Sequence, residues 1–296
     1  FTVTPGIKPD QAYSQHVGNS VVPGDLALFD LGYFRLRTFK QIDEKGAYFL
    51  SRWLIGTNLR APETGALFDL GAFLQHFDGD AFEMEVLLVD ADQQNVHGRL
   101  IGQRVSAEVA CARRRRLRRE SKKKGRTPSR KHLALCDWTL LVTNAPKSKL
   151  PAKLAYSLYR VRWQIELVFK QLKSVLRVNQ TNTGKEYRLR CELYGKLIMA
   201  VLIHSLHASF HIALWNQRKQ EVSFDKFYKR IREQCQCLVK LFLISTNRAM
   251  AFLSWQIPHL IKFCMKRHQP SRKTTLERLD LANNKSMTTF IPIRLT

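Results

Sequence analysis

The sequence predicts an α/β fold with a strand–turn–helix–strand opening, a β-rich middle and a helical remainder from Pro151 onward. Three observations support this. Leu26-Ala27-Leu28-Phe29 is a short apolar run that ends at Asp30, with Gly32 just behind it. Residues Arg35 to Lys45 place Leu36, Phe39 and Ile42 on one side at helical spacing, and Gly46 stops that helix before an apolar run from Ala47 to Leu54. Such an order belongs to an open α/β sheet with a polar residue at a strand's carboxyl end.

Further along, Met84 to Val89, Arg99 to Val109 and Trp138 to Thr143 are rich in Val, Leu and Ile between turn residues, and read as strands of a β-rich insertion. Pro151 suits a first helical turn, and the helical pattern runs to about Leu176. Further helices are expected over Arg188 to Trp215, 223–245 and 247–268, with a loose tail from Gln269. The expected organisation is 1–55 for the opening α/β segment, 56–145 for the insertion, 146–215 for the motif-bearing helices and 216–296 for a helical end. Phe1-Thr2-Val3-Thr4 reads as a strand inside a domain, so the chain is expected to be a fragment.

Charge is the first clue to function. Lys and Arg number 49 against 24 Asp and Glu, a formal net charge of +25. Self-repulsion on that scale is usually maintained for a polyanionic partner: nucleic acid first, an anionic membrane surface second. The densest run is Arg113, Arg114, Arg115, Arg116, Arg118, Arg119, Lys122, Lys123, Lys124, Arg126, Arg130 and Lys131, faced only by Glu120. Solvated helix faces mix both signs, so this run favours phosphate contact; the same letters suit a nuclear-localisation signal, which nothing else in the chain supports. The six cysteines have no zinc or disulfide spacing and are expected to be free thiols of a reducing cytosol, mostly core fillers. Leu197 to Trp215 is roughly long enough to cross a bilayer, but His204, His207 and His211 make a buried core helix the better reading. Those three histidines could ligate zinc at this spacing; with no fourth ligand evident, packing is the stronger reading.

The sharpest pattern lies between Tyr159 and Lys173. At about 100° per residue, Tyr159, Arg162, Glu166, Lys170 and Lys173 fall on one stripe, with Val161, Ile165, Val168 and Leu172 opposite and facing a core. Read by periodicity alone, this is equally a solvated face with Arg162–Glu166 and Glu166–Lys170 pairs. Read chemically, a carboxylate can hold a divalent metal through oxygen while Arg, Lys and Tyr grip phosphates.

The spacing Y-x2-R-x3-E-x6-K, met by Tyr159, Arg162, Glu166 and Lys173, resembles the signature of the insertion-sequence-four-type DDE transposases. Thr143-Asn144-Ala145-Pro146, the string Tyr-Arg-x-Arg-Trp-x-Ile-Glu-x-x-Phe-Lys, Asp30-Leu31-Gly32-Tyr33-Phe34 and Gly46 to Arg52 are similar to that family's wording, in the same order, from about Phe1 to Trp215. The resemblance implies an incomplete ribonuclease H-like core interrupted by the insertion, and a three-carboxylate site for two Mg²⁺ (or Mn²⁺) ions. Asp30 would be the second carboxylate and Glu166 the third, both catalytic and metal-binding. Tyr159, Arg162, Lys170 and Lys173 would hold DNA near the scissile phosphate, and Arg113, Arg114, Arg115 and Arg116 would bind DNA more generally. Arg52 is a weaker candidate for backbone contact. Trp163 sits beside the site, where such enzymes stack an aromatic on an extruded base, though a core role is the stronger expectation.

The implied reaction is metal-assisted phosphodiester hydrolysis at element ends, then attack of the freed 3′-hydroxyl on target DNA. Implied partners are double-stranded DNA and a second copy in a synaptic complex, in the bacterial cytoplasm at the nucleoid, with no membrane. The family's first aspartate has no counterpart: Asp10 follows Pro9 in a loop and Asp25 follows Pro23-Gly24 in a turn. The chain alone is therefore expected to be inactive, and a non-catalytic DNA-binding relic is the alternative. RNA binding is weaker, since no aromatic recognition motif is present.

Overall fold

The computed structural model describes residues 14–92, 94–181, 184–266 and 291–293. Phe1 to Thr4, Asp10 and most of the tail from Gln269 lie outside them. The chain divides into two compact units, Phe1–Arg162 with Thr274–Thr296, and Trp163–Lys273.

The first unit is a mixed α/β layer structure, as the sequence predicts. Its elements are α1 (Ser14–Ser20), β1 (Leu26–Phe29), α2 (Leu36–Glu44), β2 (Tyr48–Arg52), β3 (Asn58–Arg60), β4 (Leu67–Phe68), α3 (Leu70–His76), β5 (Ala81–Val89), β6 (Asn95–Arg104), α4 (Ala107–Lys123), α5 (Arg130–Leu135), β7 (Trp138–Thr143), α6 (Ala152–Val161) and β8 (Ile291–Ile293). The described strands form one sheet in the order β1-β2-β7-β6-β5-β3-β4, with β8 beside β5. Only the β1–β2 and β5–β8 pairs are parallel. The strands of 56–145 thus extend the sheet that β1 and β2 begin. The parallel pair follows from α2, which crosses between β1 and β2 and returns the chain in the same direction.

Alternation along β2 shows how the sheet is covered. Phe49 points into a cluster with Phe39 and Ile42 of α2 and Phe82 and Leu100 of the sheet, while Leu50 points into another with Ile101, Leu141 and Ala155 of α6. Phe39 and Phe49 stack with ring centroids 4.2 Å apart. Gly102 is required by this packing: a Cβ there would lie 2.1 Å from Cε1 of Phe82, so the ring occupies the space of the absent side chain. Asn144 explains much of the Thr-Asn-Ala-Pro string. Its Oδ1 accepts from Phe49 N–H and its Nδ2 donates to Ala47 O, continuing the β2–β7 ladder past the end of β7.

The second unit is helical: α7 (Trp163–Lys170), a π turn (Gln171–Val175), α8 (Glu186–Arg218), α9 (Phe224–Ile244) and α10 (Thr246–Cys264). Its small core joins Leu214, Val222, Phe227, Leu260 and Cys264.

Several expectations are corrected. The strand expected over Arg99 to Val109 ends at Arg104. Ser106 then caps α4 by accepting from Val109 N–H, with Glu108 in the first turn, and this start signal outweighs the β-branched letters. The long helix from Pro151 to Leu176 is broken at Arg162 and changes pitch at Gln171. Leu197 to Trp215 is not a buried helix. α8 is long and apolar enough to cross a membrane by length and composition, yet only 17% of its most apolar window is buried, because it is apolar around its circumference and α9 covers one stripe. Its histidines carry the burial, as described below. Of the free cysteines only Cys264 is buried, so they are not core fillers as a group. In the tail expected to be loose, Ile291–Ile293 pairs with β5.

Candidate functional site

Asp30 stands immediately after β1, where its Oδ1 accepts from Leu31 N–H (2.8 Å) and caps a 3₁₀ turn over Leu31–Tyr33. The cap uses one oxygen and leaves the side chain half exposed. The register Phe29↔Ser51 puts Asp30 beside Arg52, the last residue of β2.

The second contribution comes from α6, which lies across the sheet because Tyr156 anchors it. The Tyr156 hydroxyl sits between the carbonyl oxygens of Ile101 (2.9 Å) and Thr139 (2.7 Å), and burial pushes its pKa well up. One turn later, Tyr159 and Arg162 reach Asp30. The Arg162 guanidinium lies 3.6 Å from Asp30 Oδ2 and 5.7 Å from the Tyr159 ring centroid. Burial raises the Tyr159 pKa, Arg162 and Arg52 partly oppose the rise, and Asp30 adds to it. A phenol held this way stays protonated and able to donate. The loop into α6 is fixed by Arg99, which pairs with buried Glu83 and donates to the carbonyls of Ala145 (2.9 Å) and Leu150 (2.5 Å). Nothing in the sequence pattern singles out Arg99. Its role depends on cross-strand register between β5 and β6, which is invisible before the strands are paired.

The structure therefore assembles Asp30, Tyr159, Arg162 and Arg52 within the first unit. Glu166, Lys170 and Lys173 belong to the second. Glu166 is in the first turn of α7, where the helix N-terminus favours a carboxylate. Lys170 ends α7, and Lys173 lies in the π turn; both are exposed. Two expectations about this stretch fail. Ile165 is 47% exposed instead of facing a core, and Trp163 is 52% exposed instead of filling one. The cause is the break at Arg162, beyond which the helix no longer keeps α6's phase against the sheet.

The arginine run is split by its helix. Arg113 donates to Trp138 O (2.7 Å) and Thr139 Oγ1 (3.1 Å), and Arg114 pairs with Asp137. Burial, then Arg52, lowers the Arg113 pKa. Arg115 and Arg116 are exposed, Arg116 pairing with Glu120 (2.7 Å).

The histidines of α8 pack rather than ligate. His204 stacks on Phe224 with centroids 4.3 Å apart, and His207 lies edge-on to Phe224 and Phe227. His207 Nε2 is 3.3 Å from Val222 O, and His211 Nδ1 accepts from Val222 N–H (3.2 Å). Burial lowers the His207 pKa to about 4. Among the described residues no group of three or more His, Cys, Asp or Glu side chains is arranged to hold a metal.

Residues 2–202 match the family model described as the transposase DDE domain. The chain belongs to that family. Among curated transposases it is similar to that of insertion sequence element IS231F of Bacillus thuringiensis subsp. israelensis, 30% identical over 94% of this chain and 61% of the relative. It is also similar to that of IS1151 of Clostridium perfringens, 27% identical over 67% of this chain and 45% of the relative. The putative transposase InsL of IS186A of Escherichia coli (strain K12) is 29% identical over 52% of this chain and 41% of that protein. The chain thus spans about 61% of the length of the first of these DDE transposases. The family match covers β1, α4, α6 and α7, and so includes every site residue named from the motif.

Proposed function

We propose that this chain is part of an insertion-sequence transposase that cuts DNA at element ends and transfers the freed strand. On this reading, residues 1–55 and 146–215 form a ribonuclease H-like core, 56–145 is a β-rich insertion grafted onto the same sheet, and 216–296 is a helical accessory region. The observation that carries the proposal is the meeting of Asp30 with Arg162 and Tyr159, more than a hundred residues apart in sequence, at the carboxyl end of a strand. That is where open α/β sheets place their chemistry.

Asp30 offers a hard oxygen donor, half exposed at the strand end, of the kind that suits Mg²⁺ or Mn²⁺. Asp30 and Glu166 would hold such ions, which activate the attacking oxygen and stabilise the leaving one. The chain's own residues do the rest. Tyr159 keeps its proton and donates to a phosphate oxygen. Arg162, poised on Asp30, and Lys170 and Lys173 neutralise the strand being cut. Trp163, being exposed, is free to stack on a displaced base. The partner is duplex DNA, with a second copy of the chain in a synaptic complex, in the bacterial cytoplasm at the nucleoid.

The test is metal-dependent nicking of a plasmid carrying the element's own ends. Glu166→Gln and Asp30→Asn should each reduce nicking to background without lowering duplex binding. Binding by the parent with no cleavage under Mg²⁺ or Mn²⁺ would favour the DNA-binding relic instead.

A further inference from the structure

The basic run has two faces, and they have different partners. Along α4, Ala110, Arg113, Arg114, Leu117 and Ser121 turn toward the protein. Arg113 and Arg114 are spent there, on the start of β7 and on Asp137. The opposite side exposes Arg115, Arg119 and Lys122, spaced i, i+4 and i+7, flanked by exposed Arg118 and Lys123. Seven residues of α-helix rise about 10 Å, the axial length of roughly three phosphates on one strand of B-DNA.

Where the helix is bolted matters more than its charge. Arg113 grips Trp138 and Thr139, the first residues of β7, and Trp53 N–H bonds Leu140 O just past Arg52. β7 neighbours β2 and β2 neighbours β1, so Arg113's carbonyl partner lies about two strand spacings, roughly 10 Å, from Asp30. Arg52 lies between them, close enough for its charge to act on Arg113. Cations therefore continue from Arg162 and Arg52 at Asp30 to α4 along one end of the sheet.

We infer that α4 is a seat for the phosphate backbone of duplex DNA flanking the strand held at Asp30, with Arg115, Arg119 and Lys122 as its contacts and Arg113 and Arg114 as the bolts that aim it. This deepens the proposed function and rests on duplex DNA being the partner. The seat reads shape and charge, so it takes any sequence.

The test uses the whole chain and an unrelated 30-base-pair duplex in fluorescence anisotropy across salt. Changing Arg115, Arg119 and Lys122 together to Gln should weaken binding about tenfold or more, and lower the log–log salt slope by about 2 to 3. Its melting temperature should stay unchanged. Arg113→Gln with Arg114→Gln should lower the melting temperature as well as the affinity. Hydroxyl-radical footprints of the parent should extend beyond the central protection on one side, and the triple variant should lose that extension only. An unchanged slope and footprint in the triple variant, with the parent binding normally, would overturn the seat while sparing the DNA reading. A parent that binds no duplex even at low salt would sink both. A loss confined to an A-form RNA duplex would overturn DNA as the occupant.

Discussion

In the sheet-bearing unit, Phe39, Phe49, Phe82 and Leu100 are fully buried, whereas α8 of the helical unit buries only Ala200, Ile203, Leu214 and Trp215 among its 33 residues. The two regions hardly differ in how apolar their letters are; they differ in cover. The sheet has α2, α3 and α5 on one face and α6 on the other, so each alternating side chain meets a layer. α8 is apolar all round, and α9 meets it along one stripe, where the histidines and aromatics lie. Burial is thus decided by the number of neighbouring layers, and hydropathy along the chain does not report that number.

If this contrast is right, the largest stability effects lie in the sheet. Arg99→Met leaves Glu83 buried beside only a distant Lys147, 3.7 Å away, and also frees the carbonyls that tie down the loop into α6. We expect a loss of about 3–5 kcal/mol in urea unfolding, partly recovered by adding Glu83→Leu. A cost below about 1 kcal/mol would mean that the pair contributes little and that the loop is held otherwise.

A smaller effect should appear in the helical unit as pH falls. His207 has a folded pKa near 4 against 6.5 unperturbed, and His204 and His211 shift the same way, chiefly through burial. Between those values the unfolded chain binds protons that the folded chain refuses, so stability is complete above pH 6.5 and declines toward pH 4. We expect a loss of about 1–2 kcal/mol, allowing for partial solvent screening, followed by Trp215 fluorescence. His207→Phe should remove most of the pH dependence; an unaltered profile would show that another group governs it.

The smallest effects should come from the outward side of α8. Ile198→Ser and Leu206→Gln, at 62% and 54% exposure, should each move stability by no more than about 0.5 kcal/mol. Losses of several kcal/mol at both positions would mean that this face is covered in solution, and the contrast between the units would narrow.

The same distinction explains what was legible in the sequence. The Leu26–Phe29 strand, the helix with Leu36, Phe39 and Ile42, and Asp30 at the strand end were readable because period and punctuation agree there. Tyr159 and Arg162 beside Asp30 were readable from the motif. The fate of Val105 to Val109 was not, since Ser106 is one polar letter among β-branched ones, yet its side chain sets where α4 starts. Trp163 and Ile165 were misplaced because counting at 100° assumes one helix, and Arg162 ends the first of two. Arg113 and Arg115 look alike in a charge run; the phase of α4 against β7 makes one a bolt and the other a surface cation.

The π turn at Gln171–Val175 carries a consequence about counting. Leu176 N–H bonds to Gln171 O, five residues back instead of four (2.9 Å), so the turn stores one residue more than an α-helix would at the same pitch. Removing any one residue from it would restore the ordinary pitch and rotate everything beyond it by roughly 100° relative to α7. A substitution at Lys173 removes one charge; a one-residue deletion at Ser174 leaves every motif letter in place while re-aiming the helix that follows. The spacing from Glu166 to Lys173 is thus a statement about angle, and the wide turn is the ratchet tooth that sets it.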